Sequence, residues 1–371
     1  MGSSPAERDD AVPMRRRLLS LPTLLSFGVA AGFTYFLATQ FDLDWSRTWV
    51  NVRGINPWLY MLAFALYYVS FAFRGLRWRV LAYNAELQKA PGVELPSALR
   101  FSQLIVIGWF VNSIGWLRAG DAYRAYALSA DSNGDFSSSL GTVLAERVAD
   151  MITVLALILV GVAWFSANSD ASGTWLIAAA TFVMAVGLAT LMVLMRNYGA
   201  RFARFLPDRF QGRYHRFHSS ALDSLKRLPV IFVLGVAGWM LEVARLYFVV
   251  LALGLEISLA LVLVVALGHA ILSTVPTPGG VGAVEPGVTG LLTLGLARGD
   301  AVSITLVDRT ITYLSVIVIG GVAFLLWQAS QSRRRRARSS RQAGLDSAGA
   351  LRHEGAHRAG GKGRRNDIPS A

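Results

Sequence analysis

The feature that most limits what this chain can fold into is its set of uninterrupted apolar runs, several of about 18 residues or more. At 1.5 Å per residue such a run spans the ~30 Å hydrocarbon core of a bilayer as one helix. Soluble domains interrupt their apolar segments with polar faces and carry about 25% charged residues. This sequence is 54% hydrophobic and 16% charged. The runs at 18–39, 57–73, 140–166, 174–195, 230–253 and 302–327 read as full spans, about six in number. The arginines Arg15–Arg17 before the first run resemble a signal peptide, but the run exceeds an h-region and lacks a small-residue cleavage site, so it reads as a retained span.

The net charge of +13 is concentrated rather than dispersed. Residues 332–371 hold eleven Lys or Arg against three acids, and residues 196–229 hold eight against two. Basic segments beside spans mark the cytoplasmic side and contact the inner leaflet, so no nucleic-acid partner is expected. Counting Lys and Arg loop by loop places both termini in the cytoplasm of a multi-pass plasma-membrane protein, with 74–97 inside and Glu256 and Asp300 outside. Residues 1–17 and 329–371 read as disordered tails around a membrane domain at 18–328. With no cysteine and five scattered histidines, neither a metal site nor a cofactor is expected. The sequence shows no catalytic constellation either.

Two further apolar stretches, 98–118 and 258–297, are interrupted by Gly, Pro and polar residues. Loop polarity requires each to return to the side it came from, which makes them re-entrant or broken helices. They also resemble each other. Phe110–Ala125 contains breaks at Gly115 and Gly120, then Asp121, and is followed by Glu146, Arg147 and Asp150. Leu272–Gly287 contains breaks at Pro276 and Pro278, then Gly279, Gly280, Gly282 and Glu285, and is followed by Asp308 and Arg309. One enters from inside and the other from outside, the pattern of an inverted repeat whose broken helices bind substrate near the midplane. The expected fold is therefore an all-α polytopic membrane protein with two re-entrant segments.

Half-helix N-termini present unpaired N–H groups and partial positive charge, and glycines let an anion approach them. Arg118, Arg124, Arg147 and Arg309 are candidate headgroup partners, with Asp121, Glu146 and Glu285 either holding those arginines or contacting a cationic headgroup. Glu242 and Arg245 lie mid-span at i,i+3, a spacing suited to a salt bridge. Arg74, Arg77 and Arg79, beside Trp78, read as leaflet anchors at a span end. His269 reads as a satisfied interior histidine.

The motifs RGLRW (Arg74–Trp78), WLRAGDAYRAYAL (Trp116–Leu128), ERVAD (Glu146–Asp150), PTPGGVGAVE (Pro276–Glu285) and DRTITY (Asp308–Tyr313) resemble the flippase-like family named after the transmembrane region of lysylphosphatidylglycerol synthase. The resemblance covers about residues 20–327 and departs from the family pattern at the first break. There Gly115-Trp116 stands for a common Pro, and Asp121 for a Glu. It implies paired re-entrant elements and the handling of anionic lipids across a bilayer. Bifunctional members add a soluble aminoacyltransferase domain, which the short basic tail here does not match, so a non-enzymatic role is expected. Export of a small polar solute, or partnership with a lipid-modifying or glycosyl-transferring enzyme, are the alternatives.

Overall fold

The computed structural model describes residues 50–115, 117–168 and 174–333. The expected first span at 18–39, the N-terminal tail and the tail beyond residue 333 lie outside the described residues. So does Trp116. The described residues form helices without strands.

Helix α1 (Pro57–Asn84) starts where Asn56 caps it, its side chain accepting from the Trp58 and Leu59 amides, with Pro57 at the first helical position. It ends before Glu86, which adopts a left-handed φ of 58°. Helices α2 (Ala98–Ile114) and α3 (Ala119–Ser132) follow, then α4 (Phe136–Asn168) and α5 (Thr174–Phe202). Asp135 caps α4 by accepting from the Ser138 amide at 3.0 Å. Helix α6 (Asp208–Ser224) is short and basic, and α7 (Leu228–Ala252) is long and apolar. The chain continues through α8 (Leu259–Leu272), α9 (Val284–Leu292) and α10 (Arg298–Arg309), which runs on through two π-helical turns, Thr310–Leu314 and Val316–Gly320. The chain divides into two compact units after Gly321, and the features below belong to the first. Residues 322–333, in the second, are helical.

Four described helices are long and apolar enough to cross a membrane: Pro57–Asn84, Ala178–Phe205, Leu228–Ala252 and Arg298–Arg333. The two broken stretches have a different build. Each is a helical hairpin, α2 with α3 and α8 with α9. Three of the four limbs, at 14, 14 and 9 residues, fall below the ~17 that a crossing helix needs.

The returning limb of the first hairpin is α3, which extends to Ser132, beyond the 98–118 boundary set from hydropathy. Its mean hydropathy is low because one face carries Asp121, Arg124 and Asp131, so an apolar scan passes over it. The limbs close on each other at two glycines. A Cβ on Gly120 would overlap the carbonyl oxygen of Gly108, and the Gly120 amide donates to Asn112 Oδ1 at 2.8 Å. Segment 196–229, read from charge as a loop, contains the end of α5 and the whole of α6.

Candidate functional site

The two hairpin tips meet. Arg118, at the first tip, donates to the Ser273 carbonyl at the end of α8 at 2.8 Å, and Tyr313, in the π-helical turn after α10, donates to the Ser113 carbonyl at the end of α2 at 3.4 Å. The tips turn by different means. At the first, Leu117 and Arg118 hold φ of 57° and 53°, the left-handed region that costs a non-glycine residue about 1–2 kcal/mol. At the second, Gly279, Gly280 and Gly282 take φ of 60°, 70° and 90°, which glycine does at no steric cost. Pro278 opens a single 3₁₀ turn there, two residues after Pro276.

Behind and around the tips lies an ion network of seven arginines and six carboxylates drawn from α1, α3, α4, α7, α9, α10 and the first tip. On the first side, Asp121 takes both forks of Arg147 at 2.6 and 3.2 Å and also faces Arg124 at 3.4 Å and Arg118 at 3.6 Å. Glu146 pairs with Arg124 and with Arg77, and Arg77 also binds Asp150 at 2.7 Å. On the second side, Glu242 holds Arg74 at 3.2 Å and Arg245 at 3.0 Å, and Arg245 pairs with Asp308. His269 Nδ1 lies 3.3 Å from Asp308. Glu285 binds Arg309 at 2.9 Å, and Arg309 donates to the Gly279 carbonyl at 3.1 Å.

Removing charges from water costs several kcal/mol per ion even after relaxation, so such a cluster persists only when opposite signs lie against one another. Alternation is what the chain provides. Arg74 is also sandwiched between Trp239 at 4.4 Å and Trp109 at 5.3 Å, and Arg309 lies over Tyr313 at 4.5 Å.

The network borders a cavity of about 250 Å³. Arg74, Arg118, Arg147, Arg245 and Arg309 reach its wall with Asp121, Asp150 and Glu242, and Tyr67, Trp109, Trp239 and Tyr313 supply aromatic surface. Among the residues expected from sequence, Arg118, Asp121, Arg147, Asp150, Gly279 and Arg309 therefore line one space. Arg124, Glu146 and Asp308 stand behind the wall and hold its residues in place. Gly115 and Gly120 shape the first tip, and Pro276, Pro278, Gly280 and Gly282 the second, without lining the cavity.

Two expectations change. Arg74 and Arg77 are not leaflet anchors: they are buried and carboxylate-bound, because α1 turns that face toward α4 and α7. Arg79 alone of the three faces outward, donating to the Pro96 carbonyl. The glycine turn also offers less backbone to an anion than its composition suggests. Glu285 Oε2 accepts from the Gly282 amide at 2.7 Å, and Gly280 and Val281 donate within the turn. An internal carboxylate thus already sits where a bound anion was expected.

Sequence reasoning left Tyr67, Trp109, Trp239 and Tyr313 out of the site. One signal was present: Trp239, Glu242 and Arg245 recur every three residues on an otherwise apolar helix and so share one stripe.

The sequence profile described as "Lysylphosphatidylglycerol synthase TM region" matches residues 23–320. A "UPF0104 membrane protein" of Methanocaldococcus jannaschii is 26% identical over 58% of this chain and 94% of its own length. Another, of Pyrococcus horikoshii, is 25% identical over 71% of this chain and 86% of its own length. "Glycosyltransferase AglD" of Haloferax volcanii is 26% identical over 75% of this chain, and the match spans 50% of that protein.

Proposed function

We propose that this chain, which belongs to the family of the lysylphosphatidylglycerol synthase transmembrane region, moves anionic phospholipids across the plasma membrane by admitting their headgroups to the arginine-lined cavity between its hairpin tips. The observation that carries the reading is the cavity wall, where five arginines face three carboxylates in a pocket bounded by two broken helices. Charged groups within a membrane domain mark pathways and binding sites by default. Opposed re-entrant hairpins arranged as an inverted repeat would set that site near the bilayer midplane. In this reading both termini are cytoplasmic and about six full spans surround the hairpins.

Side-chain exposure separates two kinds of arginine. Arg77, Arg124 and Arg245 are 1%, 1% and 2% exposed and hold the frame together. Arg118, Arg147 and Arg309 are 27%, 26% and 10% exposed and are the groups a phosphate would meet. Their partners Asp121 and Glu285 are also partly exposed, and Asp121 already grips Arg147 in the two-pronged geometry that phosphate takes. A lipid phosphate exchanges with these carboxylates rather than entering an empty charged hole, which keeps the desolvation cost low at each step. A space of 250 Å³ takes a headgroup and leaves the acyl chains in the bilayer.

The test is a dithionite-quench assay on protein in liposomes that carry fluorescent phosphatidylglycerol or phosphatidylcholine. Loss of the inner-leaflet phosphatidylglycerol signal, slowed at least tenfold by Arg309→Gln or Arg147→Gln, is the expected result. Unchanged movement in both variants, with the proteins folded, refutes the assigned roles.

A second reading has one observation in its favour, the match to half of a protein named as a glycosyltransferase. In that reading the membrane domain presents a lipid carrier to a glycosyl-transferring partner. Co-purification of such an enzyme, with no lipid movement by the isolated chain, would select it.

A further inference from the structure

A second, larger cavity lies on the flank where α5 meets α4 and α6, away from the ion network. Its volume is about 680 Å³, and its walls include Val148 of α4 and Leu191, Met195 and Phe202 of α5. Arg201 and Arg204 stand at one end. The groove is held open rather than left by loose packing. Tyr214 of α6 donates to the Gly199 carbonyl at 3.0 Å, and His218 Nε2 pairs with the Met195 carbonyl at 2.9 Å. A Cβ on Gly199 would overlap the His218 ring, so these helices are already as close as they can come.

Three observations say what fills it. The first is where it faces. Only 6% of the apolar window in Ala178–Phe205 is buried within the protein, against 39% in Leu228–Ala252, so the α5 wall is made for hydrocarbon. The second is charge. Arg201 and Arg204 are exposed, and among the described residues neither has a carboxylate within 4.0 Å, whereas the cavity arginines all do. The third is the surrounding field: segment 196–229 carries eight Lys or Arg against two acids. An apolar slot that ends in uncompensated arginines fits a molecule with a hydrocarbon tail and an anionic head.

We infer that this groove is a binding site for one anionic phospholipid of the leaflet bordering α6, with an acyl chain along α5 and its phosphate between Arg201 and Arg204. The inference does not rest on lipid movement through the central cavity. Each arginine near a membrane surface contributes about fivefold to the retention of an anionic lipid, so the pair sets the selectivity and the apolar walls set the residence.

The experiment is native mass spectrometry of the full chain in detergent, titrated with phosphatidylglycerol or phosphatidylcholine. The wild type is expected to retain one phosphatidylglycerol preferentially. Arg201→Gln with Arg204→Gln reduces that retention on the order of tenfold or more, since two such contributions are lost together. Leu191→Trp, at an exposed position that would fill the slot, reduces it while leaving both arginines in place. Arg79→Gln, an exposed arginine that lines neither cavity, leaves it unchanged. Equal retention of the two lipids, or retention unaffected by both groove variants, overturns the site. So does a cross-link from a cysteine at Leu191 to residues 18–39 or to a second copy, either of which would put protein in the groove. The chain has no native cysteine to confuse that result.

Discussion

The two hairpin tips do the same mechanical work with different chemistry. The second tip turns on three glycines with positive φ and holds a single arginine through Glu285. The first turns on Leu117 and Arg118, residues that resist that conformation, and gathers three arginines around Asp121. A glycine turn is cheap in backbone strain and relies little on side-chain bonds. A turn built on leucine and arginine must be held by its contacts, and Arg118 supplies them by reaching Asp121 and the Ser273 carbonyl. The first tip is therefore fixed by charge, and the second by backbone.

The largest effects should come from the carboxylates behind the tips. Glu146 serves two fully buried arginines, whereas Asp308 serves Arg245 and faces His269. Removing one member of a buried pair costs about 3–5 kcal/mol. Glu146→Gln should lower the thermal unfolding temperature in detergent at least as far as Asp308→Asn does, and the reverse order would break the comparison.

Effects of about 1–3 kcal/mol are expected from overpacking at the glycines. An alanine at Gly120 meets backbone, the Gly108 carbonyl, which cannot turn aside. An alanine at Gly279 meets the Tyr313 ring. Adding Tyr313→Ala should therefore restore part of the stability lost in Gly279→Ala and none of that lost in Gly120→Ala. Unfolding midpoints of the double variants decide the matter.

The tip carboxylates themselves should differ, and the smallest effect of all falls at Glu285. Asp121→Asn leaves three guanidiniums short of a counter-charge and should cost about 1–3 kcal/mol. In Glu285→Gln the amide oxygen can still accept from the Gly282 amide and one arginine is affected, so the cost should stay below that of Asp121→Asn. Equal losses would show that the first tip does not depend on charge more than the second.

Much of this was legible in the sequence because membranes simplify the physics. The long apolar helices show as hydropathy, and the second tip shows as Pro276, Pro278 and its glycines, which break any helix. The pairing of Glu242 with Arg245 followed from i,i+3 spacing. What escaped was tertiary in origin. Nothing in RGLRW distinguishes an arginine that snorkels from one that turns inward to Asp150; the difference lies in which face of α1 meets α4 and α7. Helix α3 was hidden because its polar face lowers its mean hydropathy. The competition of Glu285 for the glycine turn is set by side-chain direction, since a carboxylate three residues on can cap an amide or point away from it.

Thiol accessibility shows whether the two hairpins whose tips meet also enter from opposite sides of the membrane, as an inverted repeat requires. Ala90 lies in the connection leading to the first hairpin, Glu256 in the connection leading to the second, and both are exposed. In intact cells expressing Ala90→Cys or Glu256→Cys, a membrane-impermeant maleimide should label the cysteine at 256 and spare the one at 90 until the membrane is opened. Labelling of both positions from the same side would contradict the inverted arrangement and the site built on it.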